Sequence, residues 1–262
     1  MTSDAAAAIA LLRDADATVD LAMAYTVEAL QMSVRSRPEV LTRLQEAAAL
    51  AERNGATAVA NFALAYRVSK MVIGHANGRA ADELVALGER LRNRSYDAAQ
   101  CVYLQTKIVE RFINHPSEAS EACRLMTETH EKLGVPFTEA WQLYSAAVAA
   151  NLGDASLAAT RIRSLQAEFH RNGVDGHDEL LLIFAVLAWR VGDLPRARRY
   201  HSAHLQAAGK AFALGTVTIS RGLRAILGAE TPDPRHPSAP AHLGDEPYAW
   251  LDTLAAPNDA SA

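Results

Sequence analysis

The residues best equipped for chemistry crowd into RVGDLPRARRYHSAH, residues 190–204. His201 and His204 stand three positions apart, a spacing that puts two imidazoles on one helix face and could bring them onto one zinc ion. Such a site needs one or two more ligands, and Glu168 and His170 are the nearest candidates. Arg196, Arg198 and Arg199 in the same stretch could contact phosphate or DNA. Just upstream, GHDEL (176–180) gathers His177, Asp178 and Glu179, which are material for acid–base work.

Each group also has a plainer reading. Two histidines at this spacing are half of a zinc signature. The arginines suit a solvated helix face, where their stems cover apolar surface. Acidic residues at a helix start serve as caps and dipole partners. No GxSxG, HExxH or GxxxxGK[ST] occurs in the chain. The balance favours a protein that is not an enzyme, with no metal and no cofactor. The alternative is an enzyme on a helical frame, biosynthetic or hydrolytic, using His170, His177, His201 and His204 with neighbouring carboxylates near 190–204.

Helices must position these residues. Half of the 262 residues are apolar and few are aromatic, a composition that suits tightly packed helices better than a β-sandwich. The 26 basic and 30 acidic residues leave a net charge of −4, which gives no electrostatic case for coating nucleic acid. Cys101 and Cys123 lack CxxC spacing and fit a reducing cytosol. The opening residues MTSDAAAAIALLRDAD lack a leading Lys or Arg and make a poor signal peptide. Leu180–Trp189, the longest apolar stretch at ten residues, is far short of a membrane span. A soluble, cytoplasmic protein is expected, with no membrane contact.

From about Asp16 to Leu227, apolar residues recur at three- and four-residue spacing between short breaks, and no alternating strand pattern appears. Four breaks superpose: VIGHANGRAADELV (72–85), INHPSEASEACRLM (113–126), AANLGDASLAATRI (149–162) and AWRVGDLPRARRYH (188–201). Each places a small residue early in the helix that follows: Ala81, Ala119, Ala158 and Ala197, at separations of 38, 39 and 39 residues. Val85, Cys123, Ile162 and His201 follow four positions later, and Gly88, Met126, Leu165 and His204 three beyond those. These offsets share one helix face and should point to the core. Gly134, Gly173 and Gly215 are placed to end second helices in a left-handed cap. RPEVLTRLQEAAALAERNG (37–55) reads as an earlier unit without the alanine. The unit is thus a helical hairpin that buries its apolar stripe only by stacking on its neighbours.

The blocks LGDASLAATRIRSL and VGDLPRARRYHSAH resemble tetratricopeptide repeats (TPRs). Their longer period is most similar to the solenoid region of bacterial MalT-like regulators. Over residues 16–227 the resemblance implies an all-α chain, an α-solenoid of TPR-like hairpins wound into a right-handed superhelix. It also implies a sensing or docking role in transcription regulation. The chain departs from the pattern in having Ala65, Tyr103, Gln142 and Leu181 where an early Trp is usual, and in Lys107 and Glu110 at positions usually small or aromatic.

Carried over through the alanine register, the family's inward-facing first-helix positions fall on Tyr66, Lys70, Arg111, Phe112, Asn151, Trp189 and Arg190. Together they would form a concave groove with three cations and several aromatics. Such a surface clamps a carboxylate through Arg and stacks a planar group on Trp or Tyr. The domain reading is a solenoid over 1–228, a Pro-rich linker over 229–246 carrying Pro232, Pro234, Pro237 and Pro240, and a tail over 247–262. Within the tail, 247–256 could form a short amphipathic helix with Tyr248, Trp250, Leu251 and Leu254, capping the last repeat or docking into a groove. The functional expectation is a non-enzymatic interaction module for a peptide, a protein segment or a small anionic effector, as monomer or homodimer. The plainer account of the groove is that about half of its residues merely pack between hairpins.

Overall fold

The computed structural model describes residues 2–15, 17–32, 37–74, 78–92, 98–134, 139–172, 177–207, 214–228, 243 and 245–255. The protein is all-α, and the described residues include no strand. The chain forms two compact units, Met1–Glu110 with Leu125–Val135, and Arg111–Arg124 with Pro136–Ala262. The division falls at the end of the helix that carries Lys107 and Glu110.

The first unit contains α1 (Thr2–Asp14), α2 (Thr18–Gln31), α3 (Arg37–Arg53), α4 (Thr57–Gly74), α5 (Gly78–Leu91) and most of α6 (Ala98–Arg111). Helix α1, which precedes the repeat pattern, packs on α2, and consecutive helices pair from α2 through α5. Small residues let them approach closely: Ala47, Ala48 and Ala63 are buried around Leu21 and Tyr25. The Arg13 guanidinium donates Nε and Nη2 to the Tyr25 hydroxyl at 3.0 and 2.8 Å, and Arg43 lies over the Tyr25 ring while pairing with Glu28 at 2.7 Å.

Helix α5 corrects the repeat register. Ala80, Leu84 and Leu87 are buried, whereas Val85 is 56% exposed and Ala81 only half-buried. The small residue of this unit is therefore Ala80, not Ala81, and the spacing to Ala119, Ala158 and Ala197 is 39 residues at every step. All four alanines are buried. Four and seven positions later, the sets Leu84, Cys123, Ile162, His201 and Leu87, Met126, Leu165, His204 are buried as well.

The second unit holds α8 (Glu139–Asn151), α9 (Ala155–Asn172), α10 (His177–Arg190), α11 (Leu194–Ala207), α12 (Leu214–Leu227) and α13 (Glu246–Ala255). The first half of α7 (Pro116–Leu133) also belongs to it. Two hairpin turns repeat one local design. Gly153 and Gly192 take left-handed φ of 74° and 85°, ending α8 and α10. Asp154 and Asp193 follow and accept the backbone N–H of Leu157 and Arg196 at 2.9 and 3.1 Å, capping α9 and α11. Gly134 is left-handed too. Gly215 instead lies in the first turn of α12, and Gly173 falls outside the described residues.

Helix α10 is buried on every side from Leu180 to Ala188. It packs on α8, α9, α11 and α12, and Phe184 meets Tyr248 of α13 edge-on at 5.3 Å. That surround explains its unbroken apolar run, because a helix without a solvent face needs no polar stripe. Helix α12 also approaches the turn that follows α6, where a Cβ at Gly222 would stand 2.8 Å from Ile113 Cγ1.

Candidate functional site

The seven residues assigned to a groove divide between the units. Tyr66 and Lys70 lie on α4 in the first, both half-buried. The Tyr66 ring meets Phe62 edge-on at 4.9 Å, and burial pushes its hydroxyl pKa up. Burial pushes the Lys70 ammonium pKa down.

The other five converge in the second unit, at the C-terminal ends of α6, α8 and α10. Phe112 is fully buried and offers its carbonyl oxygen to the side-chain amide of Asn151, itself buried. Asn151 Oδ1 accepts Arg190 Nε at 2.7 Å. Arg190 Nη2 reaches the Ile113 carbonyl at 3.2 Å, and its guanidinium lies 3.9 Å from the centre of the Trp189 ring. Burial lowers the Arg190 pKa. The last carbonyls of a helix have no partner within it. Here the turn after α6, at Phe112 and Ile113, receives side-chain donors from α8 and α10.

Phe112 and Asn151 are therefore enclosed, while Trp189 and Arg190 keep part of their surface in solvent. Arg111, also half-buried, sits beside Glu118 at 3.6 Å. Helix α12 packs on α10. A cavity of about 10 Å³, lined by Leu143, Tyr144, Ala147, Leu182, Ile183, Val186 and Ile219 with Glu179, is the space left there. Its size matches a single water position, and its walls are almost wholly apolar.

His201 and His204 lie in the seam between α11 and α12, both buried, their rings stacked 6.2 Å apart. His201 Nε2 is 2.9 Å from Ser220 Oγ. Burial, reinforced by the neighbouring His204, pushes the His201 pKa down to about 4. Glu168 and His170 do not complete a site: among the described residues no group of three His, Cys, Asp or Glu could hold a metal ion. The side chains of His177 and Asp178 lie outside the described residues.

Arg198 and Arg199 are exposed, as a solvated face requires, and Arg196 is half-buried, but all three also hold fixed partners. Arg198 donates to the Leu227 carbonyl at the end of α12, at 3.1 Å. Arg196 and Arg199 both reach Glu246 of α13. Helix α13 forms where the amphipathic pattern predicts, and it lies along α9 and α11. Arg163, Tyr200, Glu246 and Asp252 form this contact, and the sequence reading passed over it. The available signal was charge: RARR in one segment and DE followed by an aromatic pair in another, about fifty residues on.

Among the described residues no helix is long and apolar enough to cross a membrane. No protein-family model, no curated protein and no solved structure matches this chain.

Proposed function

We propose that this chain is a TPR-like α-solenoid, a right-handed stack of hairpins that serves as a non-enzymatic interaction module, regulatory in role, for a protein segment or a small anionic ligand. The observation that carries this reading is the row Phe112, Asn151, Arg190. These residues are 39 apart and equivalent in three successive hairpins, and each is bonded to the next. Direct contact between equivalent positions is what hairpins stacked in constant register produce.

The ligand surface is the solvent-facing rim of this row, where Arg190 lies over Trp189 and Arg111 precedes Phe112. Two guanidinium groups beside an indole suit a carboxylate attached to a flat or apolar body. Cys101 and Cys123, neither of them in a disulfide, suit a reducing compartment, and we place the module in the cytoplasm, in a bacterial regulator of the MalT-like kind.

Arg111→Gln tests the reading, because the Arg111–Glu118 contact is long at 3.6 Å and partly solvent-accessible, so it contributes little to stability. Native mass spectrometry of freshly purified protein, followed by thermal-shift titration with small di- and tricarboxylates and acidic peptides, should find a ligand. Arg111→Gln should bind it at least about tenfold more weakly, about 1.4 kcal/mol, at unchanged melting temperature. Equal binding by the variant, or no ligand anywhere in the panel, overturns the assignment.

A further inference from the structure

Helix α13 rests on α9 and α11 the way a ligand rests in a site. Its first-turn carboxylate, Glu246, accepts hydrogen bonds from Arg199 Nη2 at 2.6 Å and from the Tyr200 hydroxyl at 2.7 Å, with Arg196 Nε at 3.4 Å. One turn later the Trp250 ring lies 5.7 Å from the Tyr200 ring, beneath the Arg196 guanidinium at 5.0 Å. Leu251 is fully buried, and Asp252 takes both its bonds from Arg163 Nη2, at 2.7 and 2.8 Å. The face thus reads a carboxylate, an aromatic four positions on, an aliphatic at five and a second carboxylate at six.

The occupant is short for so specific a face. Ten residues are too few for a helix that persists alone in water. The ion pairs are solvent-accessible, Asp252 being 64% exposed, and pairs of that kind contribute little. Burial of Trp250 and Leu251 favours the bound state, and covalent linkage to α12 adds to it by raising the local concentration to the order of millimolar. A separate helix with the same pattern and a longer apolar face has the chemistry to take its place. We propose that the α9–α11 face is a docking surface for a partner protein's amphipathic helix, bearing a carboxylate in its first turn and a Trp–Leu pair one turn later, with α13 as its tethered, displaceable stand-in. This surface is separate from the Arg111–Trp189–Arg190 rim and does not depend on that assignment.

The test uses the full-length chain and a labelled synthetic peptide DEPYAWLDTLAA, residues 245–256. Trp250→Ala with Leu251→Ala empties the face, so this variant should bind the peptide at least about tenfold more tightly than wild type, where the tethered copy competes. Adding Arg199→Ala, or replacing the peptide's Glu by Ala, should remove at least about tenfold of that affinity. Equal affinity for wild type and the emptied variant overturns the proposal. So does a wild-type dimer that Trp250→Ala with Leu251→Ala converts to monomer, because the occupant would then be a second copy. Should the emptied variant fail to fold, hydrogen exchange on wild type decides. Amides of α13 should exchange at least about tenfold faster than those of α9 and α11, and exchange of all three together overturns the proposal.

Discussion

Asn151 and Arg190 occupy the same position in consecutive hairpins and are bonded to each other, Nε to Oδ1 at 2.7 Å. Asn151 is the centre of the row: its amide serves the Phe112 carbonyl on one side and its oxygen serves Arg190 on the other. Asn151→Ala would strip both neighbours of a partner in a buried setting, at a cost of about 1–3 kcal/mol. Arg190→Ala would also lose the bond to Ile113 and the cover over Trp189, so it is not the stability-neutral probe that an open groove position would be. Urea unfolding of both single variants and the double should give a coupling energy of about 0.5–3 kcal/mol. Strict additivity would mean that the row is not a connected unit.

The 39-residue register makes a sharper prediction about adjacent alanines. Ala80→Leu forces a large side chain into a buried crossing and should cost about 1–3 kcal/mol, whereas Ala81→Leu lands on a half-buried position and should cost less than half as much. Ala158→Leu should match Ala80→Leu, and Leu165→Ala should cost about 2–5 kcal/mol through the cavity it leaves. Chemical denaturation ranks all four. If Ala81→Leu proves the more damaging of the pair, the uniform period fails.

Most of the helix pattern was legible because the rules that set it are local. The GD turns at 153–154 and 192–193 are a left-handed glycine and an Asp cap side by side, and three- and four-residue apolar spacing marks the helix faces between them. The one-residue error at Ala81 has a local cause too: RAAD offers two adjacent alanines, and only packing against α4 selects Ala80. Contacts between distant segments left no such trace. Nothing near Phe112 announces that Asn151 will bond its carbonyl. The basic run at 196–199 looks like a solvated face until Glu246 arrives from the far side of a Pro-rich stretch. The groove set was drawn from first-helix positions alone, so it could not foresee that α12 would pack along the same side of α10.

Adding a Cβ at two closely packed glycines gives a second, contrasting pair. Gly222→Ala places a Cβ 2.8 Å from Ile113 Cγ1, close to a backbone that cannot easily yield, and it should loosen α12 despite the gain in helix propensity. Gly88→Ala meets only the far end of the Tyr103 side chain, which can swing away, so it should be neutral or mildly stabilising by up to about 1 kcal/mol. Melting temperatures of the two variants should move in opposite directions. A stabilising Gly222→Ala would show that α12 does not sit against Ile113.

The pH dependence of stability should carry the signature of His201. Its imidazole is buried beside His204 and Arg224, against Ser220, and its pKa is pushed down to about 4 from an ordinary 6.5. Between those values the unfolded chain binds a proton that the folded chain refuses. Stability is therefore complete above about pH 6.5 and falls as the pH drops toward 4, with a limiting slope of about 1.4 kcal/mol per pH unit for this one group. Carboxylates add their own acid losses, so the diagnostic quantity is the difference between wild type and His201→Gln, which keeps a hydrogen-bonding side chain but cannot titrate. Urea unfolding from pH 7 to pH 4.5 should show the variant losing less stability, by about one proton's worth of slope, with the gap opening below pH 6.5. Parallel curves would mean that His201 takes up its proton in the folded state, and that the α11–α12 seam admits water.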